Sequence, residues 1–181
     1  MSEQQQFAQI TIEPWAPADL NLLHLLNAPD MMEHLGGPET EDQLAARHER
    51  YLTLTERRAG CMFSVVSVPD GQAVGSVGYW NTKWQGEDIY EMGWGILPAF
   101  QGRGFATAAV QKAVALAKAA AGGSAGSDPD KQIKYIHAFP SIDNPASNAV
   151  CRKLGFTLIQ PCEFEYPPGH FMQCNNWRLG I

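Results

Sequence analysis

Residues 100–110 read FQGRGFATAAV, a turn with two glycines that leads directly into an alanine-rich segment. The apolar segment before this turn, IYEMGWGIL, is typical of a strand. After the turn, Val110, Val114 and Ala117 recur at the spacing of one helix face. The stretch is therefore predicted to join a strand to the N-terminus of a helix over residues 103–120.

The N-terminus of this predicted helix has the features of an anion site. The first backbone N–H groups of a helix have no partner within it, and the helix dipole adds partial positive charge. Gly102 and Gly104 carry no β-carbon that would keep a phosphate away from these groups, and Arg103 adds a full charge. Glycines in a turn are equally compatible with a purely structural role, so the spacing leaves both interpretations open.

The composition predicts one ordinary α/β domain over residues 1–181. With 45% hydrophobic and 18% charged residues, the chain can bury most of its apolar surface. Its net charge of -6 argues against non-specific nucleic-acid binding and favours a cationic or neutral partner. The opening MSEQQQFAQ lacks the features of a secretion signal, and no apolar stretch reaches the ~18 residues of a membrane span. We expect a cytoplasmic protein with no membrane and no nucleic-acid partner.

The cysteines and histidines indicate no metal site. Cys61, Cys151, Cys162 and Cys174 never form a Cys-x-x-Cys pair, and the histidines show no metal-ligand spacing. The cysteines are interpreted as reduced thiols, most of them in the core. No bound metal is expected.

Changes in the hydrophobic period divide the chain into strands and helices. FAQITIEPW predicts a strand, and Pro17 suits the first turn of the helix that follows. Thr40 and Gln43 form a capping box at the start of a second helix. CMFSVVSV and AVGSVGYW predict an antiparallel hairpin with PDGQ as its turn, and NTKWQGED is predicted to be a loop. KQIKYIHAFP predicts a strand after the loop GGSAGSDPD, and YPPGHFM is predicted to turn between the last two strands.

Two motifs in order give the chain a family resemblance. Gln101 to Ala106 matches the pattern Q/R-x-x-G-x-G/A of the GNAT acyltransferases. NPASNAVCRKLGF, residues 144–156, resembles the later coenzyme A motif of the same superfamily. The opening ITIEPWAPADLNLLHLL is similar to the branch that contains the ribosomal-protein alanine N-acetyltransferases. The resemblance extends over nearly the whole chain.

This resemblance implies both a fold and a co-substrate. The fold is a GNAT-like mixed, mostly antiparallel sheet of about seven strands with flanking helices, in which strands four and five splay to admit coenzyme A. The co-substrate is acetyl-CoA, with its pyrophosphate at the glycine turn and its pantetheine along the fourth strand. A backbone N–H near Ile96 is expected to stabilise the developing oxyanion. The residues implied in binding are Ile96, Leu97, Gln101, Gly102, Arg103, Gly104, Phe105, Ala106, Asn144 and Asn148.

The implied reaction is direct attack by an amine on the thioester. An amine with a pKa near 10.4 is only about one part in 10³ to 10⁴ unprotonated at pH 7, so a base must take its proton. Glu91, on the predicted fourth strand and ten residues before Gln101, is the candidate base. The alternative is a solvent-exposed strand carboxylate with no catalytic role.

The leaving thiolate raises a separate question. Many GNAT enzymes carry a tyrosine seven residues after the asparagine of the second motif, placed to protonate this thiolate. Counted from Asn144, that position is Cys151, whose side chain is too short to reach the same place. Ser147, in the first turn of the predicted helix, is the candidate instead. First-turn polar residues such as Ser147 and Asn148 also serve as caps or solvated groups, which is the alternative.

Three tryptophans are candidates for the acceptor site, together with the segment LGGPET. Trp80, Trp84 and Trp94 fall around the strand ends that line the acceptor cleft in the family. Aromatic walls suit an amine through cation–π contacts worth about 0.5 to 2 kcal/mol. The alternative is that these rings pack in the core or at its rim. His137 and His170 are isolated, and no role is predicted for them.

Three functions remain compatible with the sequence. The first is an acetyl-CoA-dependent N-acetyltransferase that acts on a protein N-terminus or a small amine. The second is a non-catalytic acyl-CoA-binding module, and the third is an interaction protein whose cofactor site has decayed. The intact glycine turn disfavours the third, and Glu91 and Ser147 disfavour the second. A monomer or homodimer is expected.

Overall fold

A computed structural model describes residues 9–123 and 132–181. Its strands are β1 (Ile10–Pro14), β2 (Gly60–Ser67), β3 (Ala73–Trp84), β4 (Glu87–Ile96), β5 (Tyr135–Ala138), β6 (Thr157–Glu165) and β7 (Phe171–Gly180). They form one seven-stranded sheet in the order β1-β2-β3-β4-β5-β7-β6. Every neighbouring pair is antiparallel except β4 and β5, which are parallel. The predicted mixed, mostly antiparallel sheet is confirmed.

Helices cover both faces of this sheet. They are α1 (Leu20–Leu26), α2 (Pro29–Met32), α3 (Glu41–Thr53), α4 (Phe105–Gly122) and α5 (Pro145–Lys153). Phe63 of β2 packs in one apolar cluster with α4, and its neighbour Met62 packs in another with residues of α1 and α3. Because successive side chains of a strand point to opposite faces, α4 covers one face and α1 and α3 cover the other. We call these the α4 face and the α3 face.

Several local predictions are confirmed. The N–H of Gln43 donates to Thr40 Oγ1 at 3.3 Å and the N–H of Thr40 donates to Gln43 Oε1 at 2.8 Å, which completes the capping box of α3. β2 and β3 form the predicted hairpin, and KQIKYIHAFP contains β5. Residues 124–131 of the predicted loop and strand, and residues 7–8 of the first predicted strand, lie outside the described residues.

The prediction of a loop at NTKWQGED is wrong. β3 continues through Trp84 and β4 already begins at Glu87, which pairs with it. Only Gln85 and Gly86 make the turn, with φ values of 50° and 84°, as a tight two-residue hairpin requires. The segment resembles a loop in composition because this end of the hairpin is partly solvated, with half-buried and exposed residues alternating along β3.

The ladder between β4 and β5 is only two pairs long. Tyr90 pairs with Ile136, and Glu91 pairs with His137. In the described part of the chain, β4 then continues to Ile96 with no strand partner on that side, while its other edge stays paired with β3. The two central strands therefore part immediately after Glu91.

No helix among residues 9–123 and 132–181 is both long enough and apolar enough to cross a membrane. In the same ranges, no group of histidine, cysteine and acidic residues could hold a metal ion. All four cysteines are free thiols, and Cys151 and Cys174 are fully buried.

The close packing of α4 on the sheet can be tested with one substitution. Ala109, Ala113 and Ala117 are each 0% exposed, so the helix lies near the strands and leaves no room for larger side chains. Ala113→Leu is expected to lower the free energy of unfolding by about 1 to 3 kcal/mol through overpacking. Chemical denaturation measures this change.

The control for this substitution is Ala115→Leu, on the exposed side of the same helix. It adds the same carbon atoms to the same helix, and we expect a change within about 0.5 kcal/mol. If Ala113→Leu were as stable as Ala115→Leu, α4 would not pack on the sheet as described.

Candidate active site

The glycine turn presents an open helix N-terminus. Gly102 and Gly104 have φ values of 76° and 80°, in the left-handed region that favours glycine. Gly104 is the N-cap of α4, which therefore begins at Phe105, two residues later than predicted. The first helical bond runs from the Ala108 N–H to the Gly104 carbonyl at 3.1 Å, so the preceding N–H groups have no helical partner. These groups and the dipole of α4 make the turn suitable for a phosphate.

Two residues hold this turn in place. Gln101 Nε2 donates to the Ile96 carbonyl at 2.9 Å, which ties the turn to the end of β4. Phe105 is 9% exposed and anchors the start of α4 in the core. Arg103 is exposed, with its Cζ 5.6 Å from the centroid of the Phe100 ring, so its charge is available at the surface. Ala106 follows as a half-buried residue in the first turn of α4.

Ile96 has a backbone N–H on the unpaired edge of β4. The N–H of Leu97 donates to the Val74 carbonyl of β3 at 2.8 Å. Because N–H groups alternate between the two edges of a regular strand, the N–H of Ile96 points to the β5 side. That is the side on which β4 has lost its partner. The geometry is compatible with the expected oxyanion contact, which stays a prediction.

The second motif forms the start of α5. Asn144 is the N-cap, and its Oδ1 accepts a hydrogen bond from the Ser147 N–H at 3.2 Å. Pro145 occupies the first helical position. Ser147 is half-buried, and in residues 9–123 and 132–181 its hydroxyl has no hydrogen-bond partner. Its side chain is therefore available to a ligand.

Asn148 is the centre of a buried network. Its Nδ2 donates to the carbonyls of Ser141 and Asn144 at 2.9 and 2.8 Å. Its Oδ1 accepts from Asn175 Nδ2 and from Trp177 Nε1, both at 2.8 Å. An amide has two donor and two acceptor positions, and all four are used here. Asn148 thus connects α5 to β7 and has no free amide group to offer a ligand.

Cys151 occupies the position of the family tyrosine and is fully buried, in the same cluster as α4. Burial raises the pKa of its thiol to about 12. The thiol is therefore protonated at neutral pH and enclosed by apolar side chains. Its contribution here is packing.

Glu91 lies at the point where β4 and β5 part. Its side chain shares the α3 face with that of Trp80, which pairs with it across β3 and β4. Trp80 Nε1 donates to Glu91 Oε2 at 3.2 Å. The Trp80 ring lies against Gly93, where a β-carbon would stand 2.9 Å from the ring. Glycine at this position is what allows the indole to lie beside the carboxylate.

The environment of Glu91 changes its acidity. Burial raises the pKa of its carboxyl group to about 7, while the hydrogen bond from Trp80 and the charge of Arg50 act in the opposite direction. Burial prevails because removing a carboxylate from water disfavours its charged form. A carboxyl group with a pKa near neutrality can accept a proton at neutral pH and later release it.

The structure separates the three candidate tryptophans. Trp80 and Trp84 lie on the α3 face, and Trp84 packs with Phe139 and Phe164 at centroid distances of 4.6 and 6.2 Å. Trp94 packs against the cluster on the α4 face, so it does not share a cleft wall with the other two. Leu97 packs with the cluster of α1 and α3. Among the three tryptophans, Trp80 is the one that donates a hydrogen bond to Glu91.

Two features at this site have no counterpart in the sequence-based predictions. His137 pairs with Glu91 and is buried, and its Nδ1 lies 2.7 Å from Asn176 Oδ1. Burial lowers the pKa of its imidazole. Glu39, from the LGGPET segment, accepts a hydrogen bond from the Tyr166 hydroxyl at 3.2 Å across the chain. Neither contact leaves a local signal, because each joins residues that are distant in sequence.

Comparisons with known proteins agree with this geometry. A family model described as an acetyltransferase (GNAT) domain matches residues 9–157. No curated protein matches the sequence significantly. Among solved structures, the acetyl transferase of Salmonella typhimurium that modifies the N-terminal serine of a 50S ribosomal subunit protein is 18% identical. It superposes with a TM-score of 0.71 over 98% of this chain and 97% of that chain.

Two further structures show the same likeness. A spermidine N-acetyltransferase from Vibrio cholerae, in complex with CoA and spermine, is 18% identical, with a TM-score of 0.70 over 95% of each chain. An aminoglycoside acetyltransferase in complex with coenzyme A is 18% identical, with a TM-score of 0.69 over 95% of each chain. These neighbours share the fold, and the family model covers most of the sequence. The chain belongs to the acetyltransferase (GNAT) family.

Proposed function

We propose that this protein moves an acetyl group from acetyl-CoA to a primary amine by direct attack, with Glu91 as the base. One observation carries the proposal. The carboxyl group of Glu91 is half-buried at the point where β4 and β5 part, and burial raises its pKa to about 7. It shares its strand with the unpaired backbone edge that ends at Ile96. A base and a row of N–H donors beside one gap suit attack on a thioester.

The binding of acetyl-CoA is assigned to the two motif helices. The N–H groups at the start of α4 and the Arg103 guanidinium would hold the pyrophosphate. Gln101 holds that turn to the end of β4, and Phe105 anchors it in the core. At the second motif, Asn144 and Asn148 fix the start of α5, and Ser147 presents the free hydroxyl. The acceptor is a protein N-terminus or a small-molecule amine.

A non-catalytic acyl-CoA-binding module is the second candidate, and the setting of Glu91 disfavours it. A half-buried carboxyl group with a raised pKa lowers stability at neutral pH, because its ionised form is partly removed from water. Perturbed groups of this kind cluster at catalytic sites. Thiol release from acetyl-CoA across a panel of amines and N-terminal peptides separates the two functions.

Gly104→Val tests the role of the glycine turn. Valine at a φ of 80° is strained, and its side chain would stand beside the free N–H groups of α4. We expect coenzyme A to bind at least about tenfold more weakly, equivalent to about 1.4 kcal/mol. Isothermal titration calorimetry measures the affinity.

Gly71→Val is the matched control for backbone strain. Gly71 has a φ of 68° in the β2–β3 turn, and a β-carbon added there would have open space around it. It imposes a similar strain away from the site, so coenzyme A affinity should not change. Unchanged affinity in a folded Gly104→Val protein would contradict the assignment of the turn.

Glu91→Gln tests the base. The parent rate is expected to rise with pH through about 7, as the carboxyl group ionises, and then to level off. The amide cannot accept the proton, so kcat should fall by about 10² or more and this rise should disappear, with acetyl-CoA affinity nearly intact. The pH–rate profiles of both proteins decide the matter, and profiles that overlay at every pH would place the base elsewhere.

The same substitution has a second readout that does not depend on turnover. Because burial raises the pKa of Glu91 above its unfolded value, the folded protein loses stability as pH rises through about 7. The glutamine variant carries no such group. Its free energy of unfolding should therefore increase relative to that of the parent between pH 5 and pH 9, as measured by denaturation across that range.

Ser147→Ala and Cys151→Ala test how the thiolate leaves. Ser147 offers a free hydroxyl beside the second motif, so its loss is expected to slow turnover roughly 10 to 10²-fold. Cys151 is buried with a thiol pKa of about 12, so its loss should reduce stability and keep most of the activity. Steady-state rates of the two variants show which residue assists the departure of the thiolate. An inactive Cys151→Ala protein beside a fully active Ser147→Ala protein would reverse the assignment.

A further inference from the structure

The point where β4 and β5 part, which we call the fork, carries one titratable side chain on each strand. Glu91 of β4 and His137 of β5 form the last pair of the parallel ladder. The residues before and after Glu91, and those before and after His137, all belong to the cluster on the α4 face. Because successive side chains of a strand alternate, Glu91 and His137 both point to the α3 face. A carboxyl group and an imidazole therefore stand side by side at the fork.

Each of these two groups is held on one side only. Trp80 of β3 donates to Glu91 Oε2 at 3.2 Å, and Asn176 Oδ1 of β7 lies 2.7 Å from His137 Nδ1. In the sheet order, β3 and β7 flank the pair β4 and β5, so both contacts lie on the outer sides of the fork. The atoms that remain for the fork itself are Glu91 Oε1 and His137 Nε2.

These two remaining atoms are free and accessible. In residues 9–123 and 132–181, neither Glu91 Oε1 nor His137 Nε2 has a hydrogen-bond partner. The side-chain atoms that are both fully enclosed and without a partner in these ranges belong to Arg47 and Trp84. Oε1 and Nε2 can therefore be reached by a ligand that enters the fork.

The contact with Asn176 makes Nε2 of His137 a hydrogen-bond acceptor. An amide oxygen only accepts hydrogen bonds, so Nδ1 carries the hydrogen and Nε2 of the neutral ring has the lone pair. His137 is 5% exposed, and its ring stacks on Phe139 at a centroid distance of 5.8 Å, which holds its orientation. Burial lowers the pKa of the imidazole, so the ring is neutral at pH 7 and above. The fork thus presents two acceptors and no donor between them.

The spacing of the fork suits a single nitrogen atom. Two hydrogen bonds of about 2.9 Å from one tetrahedral nitrogen place their acceptors about 4.7 Å apart. Neighbouring strands of a sheet stand about 4.8 Å apart, and the side chains of a pair leave the sheet on the same face. A nitrogen between Glu91 and His137 can therefore donate one N–H to each, with its lone pair free to attack the thioester.

We propose that His137 Nε2 accepts one N–H of the attacking amine while Glu91 Oε1 accepts the other, and that this second acceptor selects primary over secondary amines. The inference rests on the proposed function and adds a specificity-determining residue to the same site. A neutral primary amine has two N–H groups and one lone pair, and the arrangement uses all three. A secondary amine has a single N–H, which Glu91 must take, so Nε2 is left without a donor.

The contact with His137 strengthens as the reaction proceeds. When the nitrogen forms its bond to the carbonyl carbon it becomes positively charged, and its N–H groups become stronger donors. Glu91 removes one proton, the C–S bond breaks, and the electron pair leaves with the coenzyme A thiolate. His137 stays neutral and holds the other N–H, which remains in the amide product. Because the interaction is strongest in the transition state, its loss should lower kcat as well as kcat/KM.

The test compares kcat/KM for primary amines and their N-methyl analogues at saturating acetyl-CoA. One pair is a hexapeptide with an N-terminal alanine and the same peptide with N-methylalanine. The other is 1,4-diaminobutane and its N,N′-dimethyl derivative. Rates are measured at about pH 9, where Glu91 is ionised and His137 is neutral. In the parent protein, we expect at least one primary amine to exceed its N-methyl analogue by about tenfold or more.

Three substitutions of His137 separate the hydrogen bond from the space that the ring occupies. His137→Met and His137→Gln have side chains of similar volume, and only glutamine places an acceptor near the position of Nε2. His137→Met should lower the ratio of primary to secondary amine by about tenfold, and His137→Gln should rescue at least about a third of the parent ratio. His137→Asn keeps a donor for Asn176 but ends short of Nε2, so it should behave as His137→Met does.

The ratio is the proper readout, because a loss of packing alone would lower the rates of both amines together. Equal kcat/KM for both members of each pair in the parent would overturn the inference. So would an unchanged ratio in His137→Asn, or a ratio in His137→Gln as low as in His137→Met. If His137→Met does not fold, His137→Asn and His137→Gln supply the same comparison.

These results would leave an N-acetyltransferase in place, with Glu91 as the one side chain that contacts the attacking nitrogen. Failure to acetylate either primary amine or any other amine of the panel, by a protein that still binds acetyl-CoA, would overturn the proposed function itself and this inference with it.

Discussion

The unequal pairing of β4 is the constraint on which the site depends. One edge of the strand is fixed to β3 by an unbroken ladder, and the other holds β5 through only two residue pairs. Backbone N–H and C=O groups away from water need partners, so an edge left open inside a molecule is costly unless something fills it. Gln101 takes one of these groups, the Ile96 carbonyl, and by that contact sets the start of α4 beside the gap. The opening of the sheet and the anion site at the helix N-terminus are thereby held together.

The alternation of side chains along β4 gives the two faces different tasks. Met92, Trp94 and Ile96 belong to the cluster on the α4 face and fix the strand in the core. Glu91, Gly93 and Gly95 point the other way, where the two glycines leave space that Trp80 and the side chains of α1 and α2 occupy. Along the segment EMGWG, successive side chains therefore alternate between the packed core and the face that carries Glu91.

The sequence predicts this architecture well wherever the signal is local. Hydrophobic period and the Thr40 capping box identify most strands and helices, and the two motifs at residues 101–106 and 144–156 identify the family. The error at NTKWQGED arose because composition there is polar, although the hairpin turn needs only Gln85 and Gly86. A solvated hairpin end and a loop share that composition.

Non-local contacts set the limit of such prediction at the site. The motif suggests that Asn148 touches the cofactor, yet its amide is fully used in contacts with residues up to 29 positions away. Likewise, three tryptophans that are close in sequence divide between two faces, because Trp80 and Trp94 occupy strands whose register decides their direction. Residue type indicates the chemistry available, and only register and packing decide which groups remain free to perform it.

The acidity of Glu91 illustrates how this balance serves the proposed reaction. A fully exposed carboxylate, with a pKa near 4, would be a weak base, and a fully buried one without partners would stay protonated at neutral pH. Here burial raises the pKa of Glu91, while Trp80 and Arg50 oppose it, and the result lies near 7.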